Sequence, residues 1–371
     1  MKDQHALANK NKTIKKISQN ELSTALLTWA KEFGRHHLPW QSNPTAYSVW
    51  VSEVMLQQTQ VTTVIPYYQK FLINFPSIHA LASAELEQVL ALWSGLGYYA
   101  RARNLHRCAK LVVEKYNGNF PDSIDKLENL PGIGRSTAGA IASLAMNKST
   151  PILDGNCKRV YARYFMIKGH YSKASVLREL WQLAEQVTPQ KNTAEFNQAI
   201  MDLGSMVCTR TKPLCLEKEY HCPLSKNCAA YNHKRISEFP HKKPKKKVKV
   251  KSAIFVVVKN QENETLLTKR APQGIWGGLW SFPQFDNEQD CYDWLTNNFT
   301  QYKMLTLSEP KQHTFTHFVL NYRELNIQAS VNDMITTLNE SNNETWFPVS
   351  DALQLGLPTP IKKSLLLIER N

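Results

Sequence analysis

The sequence lacks any hydrophobic run long enough to cross a membrane. Its longest plainly apolar stretch, Ala253–Val258, is far shorter than the roughly 20 residues that a membrane helix needs. The first residues, 1–20, are polar and rich in lysine, and they lack the apolar segment of a secretory signal. No repeat of solenoid period is present. We therefore expect a cytoplasmic protein without a membrane partner.

Length and composition indicate more than one folded domain. The chain has 371 residues and 42.5 kDa, more than one hydrophobic core usually serves. Its 42% hydrophobic and 20% charged residues, with a mean hydropathy of −0.41, exclude a disordered or fibrous protein. A segment rich in Lys and Pro separates two regions of different texture. We predict a basic tail at 1–20, a helical domain at 21–207, a four-cysteine loop at 208–233, a basic linker at 234–251 and a smaller domain at 252–371.

The apolar periodicity changes across this linker. Before it, Leu22, Leu26 and Trp29 recur at helical spacing, and alternation typical of strands is scarce. After it, Ala253–Val258 is a β-branched run, and Pro360–Ile368 has the pattern of a closing helix. The sequence therefore predicts a mainly α N-terminal domain followed by a smaller α+β domain.

The net charge of +14 is unevenly distributed. The tail carries +4 and the linker +8, whereas residues 252–371 carry −4. Basic segments of this kind favour a nucleic-acid partner through contacts with phosphate. A solvated linker without a partner is the alternative, so the charge supports nucleic-acid binding without establishing it.

A glycine-rich segment, Leu130–Ala142, predicts two helices joined by a tight turn at Gly132 and Gly134. Glycine lets the backbone turn and lets its N–H groups approach a phosphate, and the N-terminus of the following helix favours an anion. Such an anchor would not read base sequence. An ordinary helical hairpin has a similar pattern, which leaves a purely structural role open.

The chain has seven cysteines, and four of them follow one another with the spacing C-x6-C-x6-C-x5-C. Four thiols in a chain without export signals indicate a metal site or an iron–sulfur cluster rather than disulfides. Zinc and unligated cysteines remain alternatives. The other three, Cys108, Cys157 and Cys291, are isolated and interpreted as packing residues. The candidate ligands are Cys208, Cys215, Cys222 and Cys228.

Two carboxylates stand in apolar surroundings. Glu53 lies within Val51–Leu56, and a desolvated Glu there would have the raised pKa that a general acid needs near neutral pH. Asp154 ends a short apolar run before Gly155. Taken alone, Asp154 is better explained as a helix N-cap than as a catalyst. For Glu53 alone, a structural role is likewise favoured over a catalytic one.

Five ordered motifs together resemble one family. They are SEVMLQQTQV at 52–61, GLGYYARARNL at 95–105, LPGIGRSTAGAI at 130–141, ILDGN at 152–156 and the cysteine cluster. The chain is similar, from about residue 21 onward, to MutY-type adenine DNA glycosylases of the helix-hairpin-helix superfamily. The resemblance implies removal of adenine mispaired with 8-oxoguanine or guanine in duplex DNA, by flipping the nucleotide out of the stack.

The resemblance assigns roles to individual residues. Glu53 would protonate adenine at N7 and then help to activate water, Asp154 would stabilise the sugar cation, and Asn156 would orient the site. Leu56, Gln58 and Tyr98 would wedge into the duplex beside the flipped base. Gln198 would contact the purine edge. The hairpin residues assigned to DNA are Gly132, Gly134 and Ser136.

The residue at position 136 separates two reactions in the superfamily. The bifunctional glycosylase/lyases have a lysine there, whose amine forms a Schiff base with the sugar. Here the residue is Ser136, which implies a monofunctional enzyme that leaves an intact abasic strand. Lys158, close in sequence to Asp154, could still give weak adventitious trapping.

The cysteine spacing departs from that of the family. The family holds one 4Fe-4S cluster with C-x6-C-x2-C-x5-C, whereas the middle gap here has six residues. The resemblance implies one cluster, with the additional loop bulging outward and with Arg210 and Lys212 close to DNA.

Residues 252–371 resemble the MutT-like (Nudix-fold) domain of the family, including Gly274–Trp280. The acidic helix of a working Nudix hydrolase is missing, so this domain is expected to recognise and not to hydrolyse. The family reads 8-oxoguanine with a Phe-Ser-His loop, and the matching residues here are Phe315, Thr316 and His317.

Three other functions predict different features of the sequence. A glycosylase/lyase for oxidised bases predicts a lysine at 136 and no second domain. A mispair-binding protein predicts that Glu53 or Asp154 is lost or misplaced, and a nucleotide-pool hydrolase needs the acidic helix. None of these conditions holds in the sequence. The expected partner is duplex DNA with an A:8-oxoG or A:G mispair, and we expect a monomeric, nucleoid-associated protein of bacterial type.

Overall fold

The computed structural model describes residues 19–217, 220–243, 248–335 and 344–370. Most of the predicted basic tail, residues 1–18, lies outside these ranges, as do residues 244–247 of the basic linker. In the part that is described, no helix is both long enough and apolar enough to span a bilayer.

Contacts divide the chain into two compact units. Unit 1 combines Met1–Gln69 with Leu111–Pro244, and unit 2 combines Lys70–Lys110 with Lys245–Asn371. Unit 2 is therefore built from two separated stretches of sequence. The predicted domain boundaries concern continuous segments and stay a prediction.

The regular structure between residues 19 and 243 is helical, as the periodicity predicts. Several of the helices begin at identifiable capping residues; Thr45, for example, accepts the backbone N–H of Ser48 at 3.1 Å. The helices are α1 (Gln19–Phe33), α2 (Ala46–Leu56), α3 (Val61–Asn74), α4 (Ile78–Ser83), α5 (Leu86–Leu92), α6 (Ala100–Tyr116), α7 (Ile124–Glu128), α8 (Arg135–Met146), α9 (Gly155–Tyr164), α10 (Ala174–Val187), α11 (Thr193–Met206) and α12 (Ala229–Asn232).

The core of unit 1 is formed by α1, α9, α10 and α11. Leu22, Leu26 and Trp29 of α1 are buried in it, as their spacing predicts, whereas Phe33 at the end of the helix is 51% exposed. Gly204 allows α11 to pack closely on α9, since a Cβ at this position would lie only 2.6 Å from the Asn156 side chain. This close approach places α9 and α11 side by side beneath the cleft described below.

The predicted helical hairpin is present between α7 and α8. Gly132 has φ of +79°, a conformation that other residues rarely adopt. Gly134 is the N-cap of α8 in an extended conformation, and a Cβ built there meets no atom of the protein within 4 Å. The N-terminus of α8 is thus open to an approaching ligand.

Among the described residues, unit 2 contains a mixed sheet of eight strands. Its strand order is β3-β2-β1-β7-β5; β4 pairs with β1, β6 with β7 and β8 with β2. β1 and β7 are parallel, from Lys249 opposite Phe318 to Lys259 opposite Gln328, and the other pairs are antiparallel. The strands are β1 (Lys249–Lys259), β2 (Glu264–Lys269), β3 (Trp280–Ser281), β4 (Gln284–Phe285), β5 (Lys303–Leu307), β6 (Lys311–Thr314), β7 (Phe318–Gln328) and β8 (Glu344–Pro348).

Helices complete this unit and confirm the predicted α+β class. Helix α13 (Glu288–Asn298) packs on the sheet, where its Cys291 and Leu295 join a core with Val256 and Val258. Two further helices, α14 (Val349–Ala352) and α15 (Thr359–Glu369), end the described chain, and α15 contains the predicted closing helix. The β-branched run predicted as a strand is the buried part of β1.

Candidate active site and base-reading hairpin

A cleft of about 1510 Å³ opens in unit 1, lined by parts of α1, α2, α8, α9 and α11. It brings together many of the residues that the sequence marks as functional, although some are more than a hundred positions apart. Those predicted residues are Glu53, Leu56, Gln58, Ser136, Asp154, Asn156 and Gln198.

Glu53 lies on α2, one turn before the end of the helix, and faces this cleft. Burial is the larger cause and the nearby Asp154 carboxylate the smaller, and together they raise the pKa of the Glu53 carboxyl to about 8. At neutral pH the side chain is therefore protonated and able to donate. The desolvation that the apolar sequence around Glu53 predicts is confirmed.

Asp154 is the N-cap of α9, as its place before Gly155 predicts. One carboxylate oxygen accepts the backbone N–H of Cys157 at 2.7 Å, and the other accepts the Asn156 side-chain amide at 3.0 Å. Both oxygens are thus held in place. Asp154 therefore both caps α9 and lines the cleft.

Ser136 lies in the first turn of α8, and its hydroxyl accepts the backbone N–H of Leu153 at 3.1 Å. This bond ties the hairpin helix to the segment that leads into Asp154. Lys158 also lines the cleft, with its ammonium 5.7 Å from the centre of the Tyr171 ring. No lysine occupies the hairpin position that a lyase uses.

Arg35 and Asp202 form an ion pair in the cleft that no motif in the sequence marks. Asp202 is 1% exposed and accepts Arg35 Nε at 2.7 Å and the Arg35 backbone N–H at 2.8 Å. The same carboxylate accepts Gln198 Nε2 at 2.9 Å. Asp202 therefore fixes the orientation of the Gln198 amide, and the separation of Arg35 from Asp202 along the chain hides this arrangement from sequence patterns.

Arg159 is a second residue that the sequence does not mark. It donates to Asn156 Oδ1 at 2.8 Å and to the Cys208 carbonyl oxygen at 2.6 Å. It also donates to the carbonyl of Gly204. One guanidinium thus connects the Asp154–Asn156 pair to the start of the cysteine loop.

The four cysteines of the loop lie in one neighbourhood of unit 1. Cys208, Cys215 and Cys228 all raise the pKa of Cys222, although burial is the larger cause, and the result is about 12. Burial likewise raises the pKa of Cys228 to about 11. Buried Arg163 donates to Cys208 Sγ at 3.2 Å. The thiols are therefore close enough to interact, and a cationic donor faces one of them.

These thiols do not converge on a single ion. Within the ranges that the structure describes, no three His, Cys, Asp or Glu side chains are placed to share one metal ion. Tetrahedral zinc would need its sulfurs about 3.8 Å apart, given Zn–S bonds of about 2.3 Å. Four thiols in one neighbourhood, with a buried guanidinium at one of them, are the kind of donor set that an iron–sulfur cluster uses.

The described start of the lengthened part of the cysteine loop is exposed. Leu216 is 59% exposed, and Glu217 is exposed as well. The chain then returns to the core at Tyr220, whose hydroxyl accepts Trp29 Nε1 at 3.3 Å. Residues 218–219, in the middle of this insertion, lie outside the described residues.

Gln58 and Tyr98, the predicted wedge residues, share an unusual backbone conformation. Their φ angles are +59° and +53°, a region that residues with a Cβ seldom occupy. Such strained positions concentrate at functional sites. Tyr98 is 46% exposed, and it lies in unit 2 whereas Gln58 lies in unit 1.

The predicted 8-oxoguanine reader forms the turn between β6 and β7. The Phe315 N–H donates to the Phe318 carbonyl at 2.9 Å, and the two rings stack with centroids 4.3 Å apart. Thr316 and His317 are exposed at the tip. We call residues 315–318 the reading hairpin.

Trp276 supports the reading hairpin, although the sequence only places it in a motif without a role. Its ring lies 5.2 Å from Phe315 and 5.6 Å from His313, and Arg270 lies 5.9 Å from its centre. Trp276 has φ of +58°. A tryptophan in this conformation is uncommon, and aromatic and cationic side chains surround its ring.

Known proteins share this arrangement of motifs. A model of the HhH-GPD superfamily of base excision DNA repair proteins matches residues 51–186, and a NUDIX domain model matches residues 253–367. The adenine DNA glycosylase of Buchnera aphidicola subsp. Acyrthosiphon pisum (strain APS) is 40% identical over 349 residues, which cover 94% of this chain and 98% of that protein.

The chain belongs to the adenine DNA glycosylase family. The adenine DNA glycosylase of Homo sapiens is 33% identical, over 91% of this chain and 72% of the human protein. Among solved structures, a thermostable thymine-DNA glycosylase has a TM-score of 0.51 and 26% identity, covering 62% of this chain and 99% of that one.

Membership in the adenine DNA glycosylase family confirms the resemblance drawn from the motifs. It also confirms an enzyme of base excision repair that hydrolyses an N-glycosyl bond, with a helix-hairpin-helix fold and a Nudix-like domain. The roles of single residues, the mispair and the cofactor stay predictions.

Proposed function

We propose that the protein removes adenine paired with 8-oxoguanine or guanine in duplex DNA and leaves an intact abasic strand. The observation that carries this proposal is the pairing of Glu53 and Asp154 in one cleft, with Glu53 protonated near neutral pH. Glu53 can then donate a proton, and the Asp154 carboxyl group lies close enough to act on it electrostatically. A pair of carboxyl groups, one of them a proton donor, is what acid-assisted glycosidic hydrolysis requires.

The first step is protonation of the flipped adenine. Glu53 donates its proton to N7, which turns the base into a better leaving group as the bond from N9 to C1′ breaks. The C1′ cation is stabilised by Asp154, whose oxygens are held by Cys157 and Asn156. The Glu53 carboxylate then accepts a proton from the water that attacks C1′. The products are free adenine and an abasic sugar.

The cleft also provides a basis for choosing adenine. The Gln198 NH₂ group donates to Asp202, so its amide oxygen is left to accept a hydrogen bond. The exocyclic amino group of adenine is a donor, whereas a carbonyl at the same position is not. This arrangement favours adenine over guanine or hypoxanthine in the cleft.

Other regions would hold and open the duplex. The open N-terminus of α8 at Gly134 suits a phosphate, and Gly132 allows the turn that exposes it. Leu56, Gln58 and Tyr98 would fill the gap that the flipped nucleotide leaves. On the opposite strand, Phe315, Thr316 and His317 would read 8-oxoguanine, with the Thr316 hydroxyl in place of the serine of the family.

We further propose that Cys208, Cys215, Cys222 and Cys228 hold one 4Fe-4S cluster. When bound, the cluster supplies a structural and DNA-docking element and takes no part in the chemistry on the base. Arg210 and Lys212, within the loop, would contact phosphate. Iron, sulfide and zinc analysis of the purified protein tests this: stoichiometric zinc without iron would contradict the cluster.

The test of function uses a duplex with one adenine opposite 8-oxoguanine and excess protein. Strand cleavage only after alkali, and only in the mispaired duplex, is the expected result. A matched adenine–thymine duplex is the control. Cleavage without alkali would indicate a lyase, and binding without cleavage would indicate a mispair-binding protein. Sedimentation of the complex tests the proposed monomer.

A further inference from the structure

The segment that carries Tyr98 is bonded to its neighbouring helices and also to the C-terminal part of unit 2. We call residues 94–99 the probe loop; it connects α5 to α6. Gly95, Gly97 and Tyr98 all have positive φ, at +96°, +77° and +53°. Trp93 Nε1 and Arg101 Nη2 both donate to the Gly97 carbonyl at 3.1 Å. The loop is therefore held by hydrogen bonds to the residues at both of its ends.

A buried hydroxyl joins this loop to the C-terminal part of the chain. Tyr99 is 7% exposed, and its hydroxyl donates to the Leu357 carbonyl at 2.7 Å while accepting the Gly95 N–H at 3.2 Å. Ser94 Oγ donates to the same carbonyl at 3.3 Å. Leu357 lies between α14 and α15, 258 positions from Tyr99. Both ends of the probe loop are thus tied to one carbonyl.

The contact around this carbonyl is closely packed. A Cβ at Gly356 would lie 3.0 Å from Leu90 Cβ, so only glycine fits there without a shift. Glu87 pairs with Lys269 at 3.1 Å and accepts the indole N–H of Trp280. Charge, shape and hydrogen bonds all join α5 and the probe loop to the sheet domain.

A second contact leads towards the reading hairpin. Arg103, one turn into α6, donates to the Gly277 carbonyl at 2.7 Å. Gly277 follows Trp276, whose ring contacts Phe315 of the reading hairpin. A series of contacts thus runs from Phe315 of the reading hairpin to the helix that follows Tyr98.

We propose that Tyr99 is a positioning residue: its hydroxyl ties the probe loop to the C-terminal domain, so that engagement of 8-oxoguanine by the reading hairpin sets where Tyr98 enters the duplex. The inference rests on the proposed function. Through these contacts, binding of the opposite base by the reading hairpin would affect the position of Tyr98 beside the flipped adenine.

The variant Tyr99→Phe removes the hydroxyl and keeps the ring, and Tyr292→Phe on α13 is the matched control. Single-turnover excision is measured for adenine opposite 8-oxoguanine and opposite guanine. We expect Tyr99→Phe to slow the 8-oxoguanine duplex about fivefold, the effect of about one buried hydrogen bond, and to change the guanine duplex less than about twofold. Ser94→Ala should give a smaller loss in the same direction.

A double-mutant cycle separates positioning from general destabilisation. In a His317→Ala background the reading hairpin is impaired, so Tyr99→Phe should have almost no additional effect. Equal slowing of both duplexes, or an unchanged effect in the His317→Ala background, would contradict the inference. Failure of the wild-type protein to excise adenine, or to prefer 8-oxoguanine, would instead contradict the proposed function.

Discussion

The cleft of unit 1 and the reading hairpin of unit 2 differ in how far their polar side chains are exposed to water. In the cleft, Glu53 is withdrawn from water, and its pKa rises to about 8 because charge is costly there. At the hairpin, Thr316 and His317 are exposed, and only the rings behind them are packed. A general acid near neutral pH needs a raised pKa, which removal from water provides. Contact with a base instead needs side chains that the base can reach.

The strongest test of this contrast removes the acid. Glu53→Gln keeps the size of the side chain but cannot donate the proton, so excision should fall about a thousandfold while mispair binding remains. Single-turnover rates and a binding titration on the same duplex check this. Glu114→Gln, on the exposed face of α6, is the control. Near-normal excision by Glu53→Gln would exclude the assigned acid.

The pH profile tests the electrostatic origin of the acid. A group with pKa about 8 is protonated below that pH and loses its proton above it, so the excision rate should be level near neutrality and fall about tenfold per unit above pH 8. Rates from about pH 6 to about pH 10, with binding measured alongside, give the profile.

In Asp154→Asn the falling part should move to lower pH, because the Asp154 charge contributes to raising the Glu53 pKa. A rate that stays level well above pH 8 in the wild-type protein would show that Glu53 is not the proton donor.

The smallest expected effect concerns the hairpin. Trp276→Leu removes the ring behind Phe315, and the preference for 8-oxoguanine over guanine should fall about fivefold, since an aromatic pair contributes about 1 kcal/mol. Trp294→Leu, on α13, deletes an equally large ring that packs on Phe285 and Phe299. Both variants should have a lower Tm. If Trp294→Leu also lost the preference for 8-oxoguanine, the effect of Trp276→Leu would be due to lower stability.

Local features of the fold were predictable because they depend on residues within a turn or two. The stripe of Leu22, Leu26 and Trp29 forms α1, Gly132 takes the left-handed turn, and Asp154 caps α9. Phe33 shows the limit of this reasoning, since it continues the stripe and is nevertheless exposed. A periodic pattern predicts the helix but not where its covering neighbours end.

By itself, the sequence determined the helices and strands, the motifs and, through them, the family. Only the tertiary structure decided which groups act on one another: Arg35 and Asp202 are 167 positions apart, and Tyr99 and Leu357 are 258 apart. The raised pKa of Glu53 has the same origin, because desolvation and the field of Asp154 arise from atoms that packing brings together. Such energies depend on distance in space, which spacing along the chain does not specify.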